Sequence, residues 1–243
     1  MSSICDAVIA LPDVADETRP VVGGNIDWVG MERMQMPIFF DGGDGDVQRA
    51  RARMDACVNL IGQDQRGIHM SRLYLLTDQH LGAHAVDAAL LESLLRAFLH
   101  SHRGISDRAR IRIRFEQLVR RRSLRSNHHG WRAYPVMLEA LLDGDGFHLE
   151  FSTEVTYSST CPASAALSRQ LVQQEFARKF DTEWVGRNAI LDWLGSEEGM
   201  VATPHAQRSR ARLCVRPVDD ATFNLIALLD RVEASLQTAV LAA

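Results

Sequence analysis

Lysine is almost missing from this chain. Lys179 is the single one among 27 basic residues, and all the others are arginine. That excludes a phosphate loop built on a lysine and leaves little scope for Schiff-base chemistry. Any phosphate has to be held by arginine forks, backbone N–H groups or hydroxyls. Cysteine is sparse as well: Cys5, Cys57, Cys161 and Cys214 lie far apart with no paired spacing, which argues against a disulfide framework. No run is long and apolar enough for a membrane span, and Met1 to Asp6 has no basic, leader-like character, so a cytoplasmic protein with no membrane partner is expected. A net charge of −4 points away from nucleic acid as a partner.

What is present suffices for a substantial core. A chain of 243 residues with 46% hydrophobic content fits one large domain or two small ones. Residues 1–45 carry clustered Pro, Gly and Asp and read as a mostly irregular arm, with short docking segments at Asp27–Met31 and Pro37–Phe40. Strands are expected at about Gln48–Leu60 and Arg66–Leu76, followed by a helix over about Val86–His102 with Leu91, Leu94, Leu95 and Phe98 on its apolar face. Arg110 to Phe115 alternates strictly, and the arginine-rich run to Arg125 reads as a solvated strand face and loop.

A strand over Trp131–Leu142 is joined through the turn Asp143-Gly144-Asp145-Gly146 to another beginning at Phe147. A short helix near Asn188–Leu194 ends at Gly195, a strand follows Ser209, and a last helix over Ala221–Leu236 is capped by Asp220. Strands joined by tight turns, with helices in blocks, predict an α+β fold with antiparallel sheets and helices on one face. The expected division is a first unit over 46–142 and a second over 143–243, the latter with a helical insert at about 164–200. The second unit reads as incomplete at its C-terminal end, with unpaired edges and apolar faces left over.

One stretch organises the rest. Phe147 to Tyr157 alternates with a period of two, apolar positions shift to helical spacing from Ser164, and Tyr157-Ser158-Ser159-Thr160-Cys161-Pro162 lies between. Pro162 suits the first position of a helix, which puts Cys161 at the helix N-terminus, where the local field favours a thiolate. His205 flanks the other strand of this half. Cysteine with histidine is a donor pair suited to a divalent metal, while a buried thiol and a loop histidine are the plainer alternatives.

Three runs resemble the prokaryotic type IB GTP cyclohydrolases: Arg66-Gly67-Ile68-His69-Met70-Ser71-Arg72-Leu73-Tyr74, Tyr157 to Gln170, and Ala202-Thr203-Pro204-His205-Ala206-Gln207-Arg208-Ser209. The resemblance extends from about Leu11 to about Val240. It implies a tunnelling fold, with two tandem strand-strand-helix-helix-strand-strand units per chain in a homotetramer. It also implies a zinc-, manganese- or iron-dependent hydrolase that opens the imidazole ring of GTP, releases formate and forms 7,8-dihydroneopterin triphosphate on the way to folate. Cys161 and His205 fall on metal-ligand positions and so count as catalytic. His69, Arg72, Arg208 and Ser209 are candidates for contact with substrate phosphates or a neighbouring subunit.

Two departures stand out. Ala163 occupies the place of a second cysteine, and the family continues past the equivalent of Ala243 into a segment that carries further ligands. A chain truncated relative to a working enzyme is therefore expected. Three other readings stay open: an inactive paralogue, a structural oligomer module of the same fold, and a thiol-dependent nitrile reductase.

Overall fold

Alternating apolar side chains on long strands build most of this protein. The computed structural model describes residues 24–42, 47–61, 67–123, 126–217 and 224–236. Six strands, β1 (Ile26–Asp41), β2 (Val47–Leu60), β3 (Ala109–Arg122), β4 (His129–Asp143), β5 (Gly146–Thr160) and β6 (Ala206–Val215), form one sheet in sequential order. The helices are α1 (Met70–Leu81), α2 (Ala88–Ser101), α3 (Pro162–Lys179), α4 (Arg187–Leu194) and α5 (Leu225–Leu236). The expected α+β class is the observed one. From β1 to β4 the order is strand-strand-helix-helix-strand-strand, as the resemblance implies for one tunnelling-fold unit.

The chain forms two compact units: 1–120 with 131–154 and 212–228, and 121–130 with 155–211 and 229–243. In the first, one parity of each strand is buried. Ile38, Met54, Ile111, Ile113, Ala140 and Phe151 meet Leu73, Leu91, Leu94 and Phe98 of the two helices. Each large side chain removed from water this way contributes about 1.5–3 kcal/mol before the entropy of ordering it. Asp87 caps α2 by accepting the Leu90 N–H at 2.7 Å. The β4–β5 hairpin closes where expected, with Asp143 opposite Gly146 and the glycine at φ +114°, a conformation a side chain would oppose.

The second unit has a small aromatic centre. Phe176 of α3 and Phe180, the residue just after that helix, stack edgewise on Trp193 of α4, with ring centroids 5.3 and 6.1 Å away. Arg121 pairs with Asp230 and Glu233 of α5 at 2.5 and 3.2 Å. Among the described residues no helix is long and apolar enough to cross a membrane.

Three local expectations are corrected. Ile26–Asp41 is a strand of 16 residues, not an irregular arm. Its alternation is broken by irregularities at Ile26/Val29 and Met31/Met34, with Arg33 in the left-handed region at φ 56°. Trp28, in one of the segments read as docking pieces, lies under the guanidiniums of Arg108 and Arg110, at 5.5 and 4.5 Å from the ring centroid. Gly30 crosses β2 so closely that a Cβ would sit 2.0 Å from the Ala56 carbonyl oxygen.

The expected strand over 66–76 is largely helix α1, buried through Leu73, Thr77 and Leu81 at helical spacing. The last helix is capped by Asn224, which accepts the Ala227 N–H at 2.9 Å, while Asp220 lies outside the described residues, as do Cys5 and the arm before residue 24.

Candidate functional site

The sequence places Cys161 where a strand gives way to a helix, and the structure does the same. β5 ends at Thr160, Pro162 begins α3, and half-buried Cys161 is the residue between them, with extended dihedrals (φ −63°, ψ 119°) and no side-chain capping bond. A proline at the first helical position loses no hydrogen bond, so the chain turns into the helix without cost there.

The chain leaves this point through α3 and α4 and a short 3-10 turn at Glu197–Met200, then returns at Pro204 into β6. The return is pinned at two places. The main-chain N–H of His205 donates to the Ser164 hydroxyl at 3.0 Å, one turn into α3. The hydroxyls of Ser159 on β5 and Ser209 on β6 lie 2.7 Å apart and share a hydrogen bond. Cys161 is bracketed by Ser159 and Ser164, and His205 is bound to the second of these. The backbone at Cys161 and at His205 therefore belongs to one corner of the second unit, with the His205 side chain exposed. Beside it a cavity of about 360 Å³ is lined by Ser168, Arg169, Val172 and Gln173 of α3 and by Ala202 and Pro204 of the segment leading into β6.

Arg208 and Ser209 follow on β6, Arg208 exposed and Ser209 tied to Ser159, so four of the six candidate residues lie in this unit. His69 and Arg72 belong to the other. His69 is the residue before α1, and Arg72 donates to the Ser101 carbonyl at 2.7 Å. A guanidinium at the last carbonyls of α2 meets the negative end of that helix, which is a structural role in its own right.

The donor set suits a borderline divalent ion in kind: one sulfur and one imidazole nitrogen. Among the described residues no group of three or more His, Cys, Asp or Glu side chains that could hold a metal ion gathers in one place. The other described cysteines are disfavoured as thiolates. Burial pushes the Cys57 thiol up, and a hydrogen bond to Glu150 does the same for the exposed Cys214. Ser164 and Ser159 carry no signal of their own in the sequence; only the runs that contain them stand out.

With that corner described, comparison with known proteins settles the family. The family model of type I GTP cyclohydrolase FolE2 matches residues 11–243. This chain belongs to that family. It is 42% identical over 234 residues to the GTP cyclohydrolase FolE2 of Pseudoalteromonas translucida (strain TAC 125), covering 96% of this chain and 78% of the relative. The Bdellovibrio bacteriovorus FolE2 is 44% identical over 232 residues, 95% of this chain and 75% of its own length. The Pseudomonas putida (strain GB-1) protein is 42% identical over 233 residues, at 96% and 75% coverage. The family shown is type I GTP cyclohydrolase FolE2, a coarser assignment than the IB subtype expected from the motifs.

Proposed function

We propose that this FolE2 family member is a GTP cyclohydrolase of the IB subtype. It would hydrolyse the imidazole ring of GTP, release the excised carbon as formate, and rearrange the ribose carbons to give 7,8-dihydroneopterin triphosphate for folate synthesis. The observation that carries this reading is the corner at the start of α3, where Ser164 binds the His205 backbone beside Cys161 within a chain that matches the family over residues 11–243. GTP is the substrate partner, and the assembly is a homo-oligomer, a tetramer on the family pattern. The second half, from about residue 143, is read as a second tunnelling-fold unit, with 164–200 as its helical insert.

In this reading Cys161 and His205 hold zinc, manganese or iron. When bound, the ion would act as a Lewis acid toward the water that attacks the ring. The chain's own groups do the rest of the work assigned here. Ser164 fixes the backbone from which the imidazole projects, Pro162 fixes the helix start after the thiol, and Ser159 with Ser209 holds the two strands in register. Arg208 and Ser209, and separately His69 and Arg72, are contacts for substrate phosphate or a neighbouring subunit, with the arginines supplying the charge.

The test is formate release from GTP by the purified protein supplied with Zn²⁺, Mn²⁺ or Fe²⁺. The expected result is turnover that Cys161→Ala and His205→Ala each reduce by at least about a hundredfold, as removal of a metal ligand does. A specific observation favours a second reading, an inactive protein of the same fold: no three-ligand group is present among the described residues. No formate with any of the three metals would select it.

A further inference from the structure

Strands β2 and β3 part company inside the sheet. Their register runs from Val58 opposite Ala109 to Arg53 opposite Arg114 and stops there, although β2 begins six residues earlier at Val47 and β3 continues to Arg122. Over the parted stretch β2 stays paired with β1, Ala52 opposite Met36 through Val47 opposite Asp41. A cleft of about 620 Å³ opens where the ladder ends, lined by Arg49, Arg51, Arg53, Arg114, Glu116 and Leu118 among others. In a chain of net charge −4, four guanidiniums against one carboxylate is a local inversion of sign.

The arrangement is also costly as it stands. Arg53 and Arg114 are direct cross-strand neighbours, and like charges so placed destabilise a sheet. Three of the four guanidiniums are nevertheless held in place. Arg114 is bound by Asp55 at 2.8 Å, Arg51 by the Gln35 side-chain oxygen, and Arg49 lies over the Phe39 ring with its guanidinium carbon 5.9 Å from the centroid. Two of those three anchors are neutral, so they orient the arginine without cancelling its charge. Each guanidinium has five N–H donors, and one anchor leaves most of them for a ligand. Arg53 has no acidic partner among the described residues.

We propose that this cleft is an oligophosphate site. Arg51, Arg53 and Arg114 grip successive phosphoryl groups of a di- or triphosphate through paired N–H bonds, and Arg49 stands at the entrance. Planar forks match phosphate oxygens two at a time, and oriented forks lose less entropy on binding than free ones. The ligand relieves the Arg53–Arg114 repulsion, so sheet stability and anion binding are coupled. The same chemistry could be offered by the tail of a nucleoside triphosphate or by a free oligophosphate.

The experiment is calorimetric titration of the protein with inorganic tripolyphosphate at low and high salt, repeated on Arg53→Gln and on Arg51→Gln/Arg53→Gln. Saturable binding is expected, weaker at high salt, with affinity reduced about tenfold by the single change and further by the double. The variants are expected to keep the unliganded melting temperature or raise it, and tripolyphosphate to raise that of the native protein alone. If the double variant melts early, the single one gives the answer. Competition separates the sources: displacement of tripolyphosphate by GTP assigns the cleft to a nucleotide tail, and simultaneous binding assigns it to a free oligophosphate. Absence of saturable tripolyphosphate binding, or equal affinity in native and variant proteins, overturns the proposal. Neither result depends on formate release, so the site and the proposed activity stand or fall separately.

Discussion

The backbone N–H of His205 donates to the side-chain oxygen of Ser164 at 3.0 Å, and Ser164 lies one helical turn after Cys161. The bond ties the return of a long excursion to its point of departure. Groups that orient a ligand-bearing segment typically affect metal affinity by 10- to 100-fold. Ser164→Ala is expected to weaken Zn²⁺ binding about tenfold, and Ser164→Thr, which keeps the acceptor, to retain most of it. Competition titration against a zinc-sensitive dye measures both. Equal affinity in all three proteins would show that the bond plays no part in holding the metal.

The side chain of Asn59 makes three hydrogen bonds in the first unit. Buried at the end of β2, it donates to the Asp107 carboxylate at 2.6 Å and accepts the N–H groups of Asp107 and Arg108 at 3.0 and 2.8 Å. Its own carbonyl accepts the Ser106 hydroxyl at 2.6 Å. Removing the side chain strands two main-chain donors in a partly buried place. Asn59→Ala is expected to lower unfolding free energy by about 3 kcal/mol, read from the midpoint of urea denaturation at constant slope.

His102 is expected to make stability depend on pH. It is buried, its Nδ1 lies 2.9 Å from the Phe98 carbonyl, and the His69 backbone and the Arg72 guanidinium lie near the ring. Burial lowers its pKa from the ordinary 6.5, and the nearby Arg72 guanidinium pushes the same way, against the favourable Phe98 carbonyl. The unfolded chain takes up a proton near pH 6.5, whereas the folded chain takes it only at lower pH. This contribution is therefore complete above the unfolded pKa and declines as pH falls from there toward the folded value. Unfolding free energy is expected to fall between pH 7.5 and 5.5 with a slope of at most about 1.4 kcal/mol per pH unit for this proton. His102→Asn is expected to flatten that part of the profile; an unchanged profile would assign the slope to other groups.

Gln117 is fully buried on β3, and neither atom of its amide has a protein partner. Leaving such groups dry costs about 1–3 kcal/mol. Gln117→Met keeps the length of the side chain and removes both polar atoms, and it is expected to raise stability by about that amount. A fall in the thermal midpoint would show that the amide is bonded in solution.

The second half of the chain was more legible than the first, and the reasons are local. Phe147 to Tyr157 alternates without interruption, the Asp143–Gly146 turn has its glycine where φ is positive, and Pro162 marks the helix start. Each signal spans only a few residues and no tertiary contact overrides it. In the first half, Thr77 sits in the middle of the buried stripe of α1 and hides the helical period. It is tolerated there because its hydroxyl donates to the Leu73 carbonyl at 2.7 Å. Met34, Met36, Ile38 and Phe40 do alternate on β1, but Pro37 lies among them and Arg33 kinks the strand just before. The proline is admissible because β1 is the edge of the sheet. At the site, Cys161 and His205 could be picked out by residue type and surrounding words. The Ser164 bond could not, since a serine in a helix says nothing about which distant N–H it will accept.

Because the path from Pro162 to Pro204 starts and finishes at one clasp, its length is a free variable. Helices α3 and α4 could be shortened, extended or exchanged for a tight turn with the thiol and the imidazole left on the same footing, provided a hydroxyl remains to receive the incoming amide. The excursion is thus a handle mounted on one clasp, open to acquiring new contacts without disturbing the bond that closes it.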